Sequence, residues 1–210
     1  MAFGLLVTAG VSAAIGHSSA EMHALFDTSG GKVLFYGSFI VELILVISLS
    51  SLTRHMGAFE AGALFLVYAT LNGITFSVIF TLYTTRSIFS TFLVTAAMFA
   101  ALALWGSMTK SDLTGWGTFL LMGLFGQLIG LVVNLVWLNS TLYWVTTATG
   151  VLLFSALTAY DVQKLKSYEP AYGSDEGVVE KAAIVGALAL YLDFVNLFLY
   201  LLRIFGGNRK

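Results

Sequence analysis

Asp193 lies at the centre of an apolar run, Ala182–Gly206. An ionisable side chain inside a bilayer is costly to hold, so each one is a candidate functional group. Asp193, Asn196, Tyr200 and Arg203 follow at spacings of three, four and three. On a helix of about 3.6 residues per turn they form one narrow polar stripe, set among Leu, Phe, Val and Ala. Such a stripe turns into a helix bundle and away from lipid. On the residues alone, Asp193 is either a working carboxylate or a buried structural hydrogen-bonding group. Asp161, near the end of another apolar run, is the second candidate. It shares a drifting polar edge with Ser155, Thr158 and Lys164, and the competing reading is an interfacial carboxylate beside Lys164 and Lys166. Glu42 is central in the run Val33–Leu52 and is therefore also expensive. Arg54 follows that run, where a cation complements the helix dipole, and by position reads as a cap and topology determinant. Glu60 opens the next run and reads as interfacial.

Two carboxylates in contact cannot both ionise cheaply; they share a proton and titrate as a pair. If Asp161 and Asp193 meet, they form a proton-operated latch. Their oxygens also suit a hard cation such as Ca²⁺, which takes about 6–8 oxygen ligands. Two carboxylates supply at most about four, so water or backbone must complete a weak, open site of the kind conduction requires. The same chemistry serves intramembrane aspartyl proteolysis, and Tyr160-Asp161 superficially resembles the first motif of that family. The second motif, Gly-x-Gly-Asp, is missing, because Leu190-Tyr191-Leu192 precedes Asp193. A retinal Schiff base needs a lysine inside the last run, and the interior of that run has none. No phosphate loop, nucleophile elbow or HExxH is present, and His17, His23 and His55 lack metal-ligand spacing. The reading is that this is not an enzyme.

The elements that must position these groups are membrane helices. Hydrophobic residues make up 58% of the chain and charged residues 10%, against about 45–50% and about 25% in soluble domains. The net charge of −1 gives no reason to expect nucleic-acid binding. There is no cysteine, so disulfide and thiolate chemistry are excluded. A spanning helix needs about 20 mainly apolar residues. Seven runs qualify or nearly do: Met1–Gly16, Val33–Leu52, Ala58–Thr81, Ile88–Met108, Gly117–Leu138, Thr141–Leu165 and Ala182–Gly206. The expectation is a single seven-helix transmembrane domain over residues 1–210. The first run reaches only about 24 Å at about 1.5 Å per residue and reads as a spanning helix whose beginning is cut off. Charged and turn-forming residues mark the separators, and the longest, Lys166–Lys181, holds the one proline, Pro170. Asn72, Thr75, Gln127, Asn134 and Asn196 read as hydrogen-bonding glue between helices, and Gly123, Gly126 and Gly130 as close-packing positions. Lysine and arginine divide five against five between the two sides, so charge bias alone leaves the orientation open.

The run Leu190-Tyr191-Leu192-Asp193-Phe194-Val195-Asn196-Leu197-Phe198-Leu199-Tyr200-Leu201-Leu202-Arg203 resembles the Bax inhibitor-1 (TMBIM) family. So does Ala159-Tyr160-Asp161 with Lys164 after it. Ala69-Thr70-Leu71-Asn72-Gly73-Ile74-Thr75-Phe76-Ser77 is similar to that family's central segment, and Met1-Ala2-Phe3-Gly4-Leu5 to the interior of its first helix. The bacterial branch is the most similar. The resemblance implies an all-α integral membrane protein with six helices wrapped around a central C-terminal seventh, multi-pass in the bacterial inner membrane. It also implies a pH-sensitive calcium leak with Asp161 and Asp193 as sensor and weak Ca²⁺ site. Arg54 would be the latch partner, and the family's second-helix glutamate would fall on Glu42. Asn196, Tyr200 and Arg203, read from their stripe with Asp193, join Glu42 as candidates for a pathway. Expected partners are the lipid bilayer, Ca²⁺ as the transported ion, H⁺ and, in the interaction-protein reading, another membrane protein; no resident cofactor is expected. Competing classes are an interaction protein that modulates another membrane protein and an H⁺-coupled cation exchanger. The shortened first helix departs from the family pattern.

Overall fold

The computed structural model describes residues 1–18, 20, 22, 25, 27–52, 57–172 and 176–207. The described residues are overwhelmingly helical. In chain order the helices are α1 (Ala2–His17), α2 (Ser29–Leu52), α3 (Ala58–Phe76), α4 (Ile79–Leu82), α5 (Thr85–Met108), α6 (Gly117–Val136), α7 (Ser140–Tyr172) and α8 (Glu176–Phe205), with a 3₁₀ turn at Thr114–Trp116. Among these residues, five segments are long and apolar enough to cross a membrane: Phe59–Leu82, Thr85–Met108, Thr114–Asn134, Ser140–Ser167 and Val179–Phe205. Side chains such as Phe119, Met122, Phe125, Ile129 and Val132 on α6 are exposed. Lipid is the solvent that accepts them. The chain is an all-α integral membrane protein.

Three features differ from the sequence expectation. The third run is two helices within one span, broken at Ser77-Val78. Thr75 Oγ1 donates to the Asn72 carbonyl and Ser77 Oγ to that of Ile74. Hydroxyls bonding back to their own helix compete with the backbone ladder and bend it. The long separator is largely helical, since α7 runs to Tyr172 and α8 begins at Glu176. At 33 and 30 residues both helices exceed the about 20 needed for a bilayer, and the Lys, Glu and Ala of their extensions are good helix formers. Glu60 does more than mark an interface. Its carboxylate accepts the Gly57 N–H at 3.0 Å and so caps the start of α3.

The chain divides into two compact units. The first is Met1–Ile88 with Tyr172–Tyr191 and Gly207–Lys210; the second is Phe89–Ala171 with Leu192–Gly206. In the first, α1 packs on α3 through small residues. Gly4 faces the Phe65 ring, and Gly73 faces Val11 and the Thr8 carbonyl so closely that a Cβ would clash. Thr8 Oγ1 donates to the Ala69 carbonyl at 2.8 Å and shares a 2.6 Å hydrogen bond with the Tyr191 hydroxyl. In the second, Gly106 of α5 lies against the Ala159 backbone of α7, and Gly123 and Gly130 of α6 face Leu153 and Thr146 of α7. Gly126 faces open space instead, so it is not a packing position. From Ile184 to Arg203 no residue of α8 is exposed, which distinguishes it from the lipid-facing helices.

Candidate functional site

Antiparallel pairing of α7 with the second half of α8 builds the site. Phe154 and Tyr200 stack with ring centroids 5.8 Å apart at 26°. Gly150 leaves room for the Tyr200 ring, which a Cβ there would meet at 2.6 Å. Leu157 and Leu197 pack in the same cluster with Leu120 and Leu201. Seven residues on from Phe154 is Asp161, and seven back from Tyr200 is Asp193. In antiparallel helices that displacement, about two turns, carries both positions the same distance along the pair. The two carboxyl groups accordingly come within hydrogen-bonding reach of each other.

The environment of the pair is apolar on one side and charged on the other. Asp193 is only 4% exposed, and its Oδ2 has no hydrogen-bond donor. The neighbouring Phe194 ring packs edge-on against Phe92 and Phe99. Asp161 is less enclosed, and Lys164, one turn on, acts on it electrostatically. Two carboxyls this close cannot both ionise without mutual repulsion. Among the described residues, no three His, Cys, Asp or Glu side chains gather as a metal cluster. A cation here would draw only on the two carboxylates, backbone and water.

The rest of the stripe finds partners within the protein. Asn196 Nδ2 bonds back to the Leu192 carbonyl at 2.8 Å. The Tyr200 hydroxyl accepts from Gln127 Nε2 at 2.6 Å, and that nitrogen also donates to the Thr146 carbonyl. The Arg203 guanidinium lies over the rings of Tyr143 and Tyr200, at 5.5 and 5.1 Å from their centroids. Ser155 and Thr158 donate to their own helix, at Val151 and Phe154, so the polar edge leading to Asp161 is mostly self-satisfied.

Glu42 is buried in the first unit, with its Oε1 at 3.2 Å from Thr75 Oγ1. Arg54, His23 and His55 lie outside the described residues; His17 Nδ1 meets the Ala13 carbonyl at the end of α1. Gln127 and Thr75 do link helices as expected. Asn72 and Asn134 instead find local partners, Tyr68 on the same helix and the Asn139 carbonyl, because a partner within about one turn needs no second helix.

Sequence reasoning missed two residues. Phe154 sets the register, but one aromatic among many apolar residues carries no signal. Gln163 clamps the α5–α6 connection by accepting from Leu113 N and donating to the Ser111 carbonyl, both at 2.8 Å. Its position one turn outside the apolar core could have suggested a loop contact. In that same connection, Asp112 Oδ1 accepts from Thr114 N at 2.9 Å. The Thr114 hydroxyl, together with this backbone bond, holds the Asp112 carboxyl below its ordinary range.

The whole chain, residues 1–210, matches the family model described as inhibitor of apoptosis-promoting Bax1. It is 47% identical over 211 residues to the inner membrane protein YbhL of Escherichia coli K12, an alignment that takes in 100% of this chain and 88% of that one. It is 37% identical over 210 residues to a protein of Borreliella burgdorferi, covering 100% and 89%. A membrane protein of Streptococcus pyogenes serotype M1 is 39% identical over 176 residues, covering 84% and 76%. With spanning helices throughout and relatives of this kind, the chain is a multi-pass protein of the bacterial inner membrane, and it belongs to the Bax inhibitor-1 family.

Proposed function

We propose that the protein is a pH-sensitive calcium leak, with Asp161 and Asp193 as its proton-operated latch. The observation that carries this reading is the contact between the two carboxyls, with Asp193 Oδ2 buried and without a donor. A shared proton holds α7 to α8. Its loss leaves two adjacent anions that repel each other and attract a hard divalent cation. The helices then separate or admit water, and Ca²⁺ passes as substrate. Arg54 is assigned as the partner of the ionised pair by family resemblance. Glu42 is a further carboxylate for the pathway. Asn196, Tyr200 and Arg203, on the same helix stripe as Asp193, are further candidates for the pathway. No covalent chemistry is proposed at the pair.

The test is Ca²⁺ flux into proteoliposomes of the purified protein, about one pH unit either side of neutral, with Asp193→Asn and Asp161→Asn alongside. The expected result is a flux that changes with pH in the parent and is insensitive to pH in both variants. No flux above empty liposomes at any pH would overturn the leak and favour an interaction protein. Flux driven by the direction of a proton gradient would identify an exchanger.

A further inference from the structure

We propose that the second unit carries a binding site for an anionic phospholipid, with its acyl chain in a groove between α5, α6 and α7 and its phosphate in an adjoining lysine pocket. The groove has a volume of about 280 Å³, and Leu102, Trp105, Trp116, Leu120, Leu152 and Ala156 are among its lining residues. Trp105 and Trp116 are both more than half exposed. Both stand by the α5–α6 connection, where tryptophans mark the headgroup level of a bilayer. Next to the groove is a second pocket of about 410 Å³ lined by Lys110, Ser111, Asp112, Thr114, Gln163 and Lys164, among others. Tyr160 lines both cavities, so the apolar groove continues into the polar one where a lipid passes from tail to headgroup.

Charge selects the occupant. The polar pocket presents the two ammonium groups of Lys110 and Lys164, the latter also acting on Asp161 behind it, against one lining carboxylate, Asp112, which is already engaged by Thr114 N. Lys164 sits over the Tyr160 ring at 5.8 Å from its centroid, at the junction of the two cavities. Lys166, one turn from Gln163, is tied to the Ser107 carbonyl at 2.8 Å and adds positive potential. A net positive pocket at the headgroup level suits a phosphodiester with no compensating cation. It disfavours a zwitterionic headgroup, whose ammonium would face the lysines. The hydrogen bonds of Gln163 to Ser111 and Leu113 hold the pocket wall in place without a ligand, so the site is largely pre-formed.

The test is native mass spectrometry of the full chain, purified in a mild detergent and titrated with phosphatidylglycerol or phosphatidylcholine of the same acyl chains. Phosphatidylglycerol is expected to bind more tightly. That preference should fall about fivefold in Lys110→Gln or Lys164→Gln and about 30-fold in the pair. Leu152→Trp, a substitution at an exposed residue of the groove that narrows it, should weaken both lipids while leaving the unfolding midpoint in lipid-free detergent near the parent's. Equal binding of the two lipids, or a preference unchanged in the double lysine variant, would overturn the site. Displacement of phosphatidylglycerol by inorganic phosphate at similar concentration would also overturn it, by showing an anion pocket indifferent to the tail. The readout is independent of Ca²⁺ flux and stands or falls apart from the latch.

Discussion

Asp161 and Asp193 meet because Phe154 and Tyr200 do. The aromatic stack at 5.8 Å sets how α7 slides against α8, and the carboxyls lie seven residues from it on each strand of the pair. Tyr200 is itself held from the other side by Gln127 at 2.6 Å. The placement of the carboxyl pair therefore depends on a packing contact about two turns away from it.

Asp193→Asn separates a working carboxylate from a structural one. A group retained for function at a cost in stability is replaced with a gain, of about 1 kcal/mol for sites of this kind. The amide supplies a permanent donor to Asp161. The expected outcome is a higher unfolding midpoint in detergent above neutral pH, together with loss of the pH response of flux. A lower midpoint at every pH would return Asp193 to a purely structural role.

Tyr200→Phe removes the acceptor for one Gln127 N–H while keeping the ring on Phe154. Hydrogen bonds between membrane helices average near 0.6 kcal/mol, and an orphaned buried donor costs more. Destabilisation by about 1 kcal/mol is expected in an equilibrium unfolding titration. Tyr200→Ala, which also removes the stack and opens a cavity, should cost about 3 kcal/mol and disturb the pH response as well.

Two glycines give opposite outcomes under one substitution. A Cβ at position 106 overlaps the Ala159 carbonyl and neighbouring backbone, whereas one at position 126 meets nothing within 4 Å. Gly106→Ala should destabilise by about 1–3 kcal/mol through overpacking. Gly126→Ala should be neutral or stabilise by up to about 1 kcal/mol through its helix propensity. Thermal midpoints of the two variants, measured side by side, check the pair.

Asp112 offers a pH response outside the membrane. Its carboxyl is held below the ordinary range by Thr114. A depressed folded-state pKa means that its contribution is complete above the unfolded value of about 3.9 and is lost as pH falls through the folded one. The Thr114 amide resonance should titrate with a midpoint below about 3.9 in the parent and remain flat in Asp112→Asn.

The residues show how far each kind of information reaches. Membrane embedding and the helical class were legible in composition and run length, because lipid leaves the backbone few other ways to satisfy its hydrogen bonds. Asp193 was conspicuous for the same reason: a charge amid apolar residues has a cost that needs no coordinates to recognise. Periodicity grouped Asn196, Tyr200 and Arg203 with it, yet sharing a face says nothing about what each side chain finds there. Asn196 turned to its own helix, Tyr200 to Gln127, and Arg203 to two aromatic rings.

Composition and run length were enough to class the chain as a bundle of membrane helices and to mark the carboxylates that are costly there, since both follow from the transfer free energies of single side chains. It took the packed helices to show that Asp161 faces Asp193, that Gly126 packs against nothing, and that Gln163 closes the wall of a lysine pocket. Those outcomes depend on the axial register of helices whose apolar surfaces are nearly interchangeable. Register is set by the joint fit of bulky side chains and glycine gaps from several helices, such as Phe154, Tyr200 and Gly150, and no single segment contains that fit.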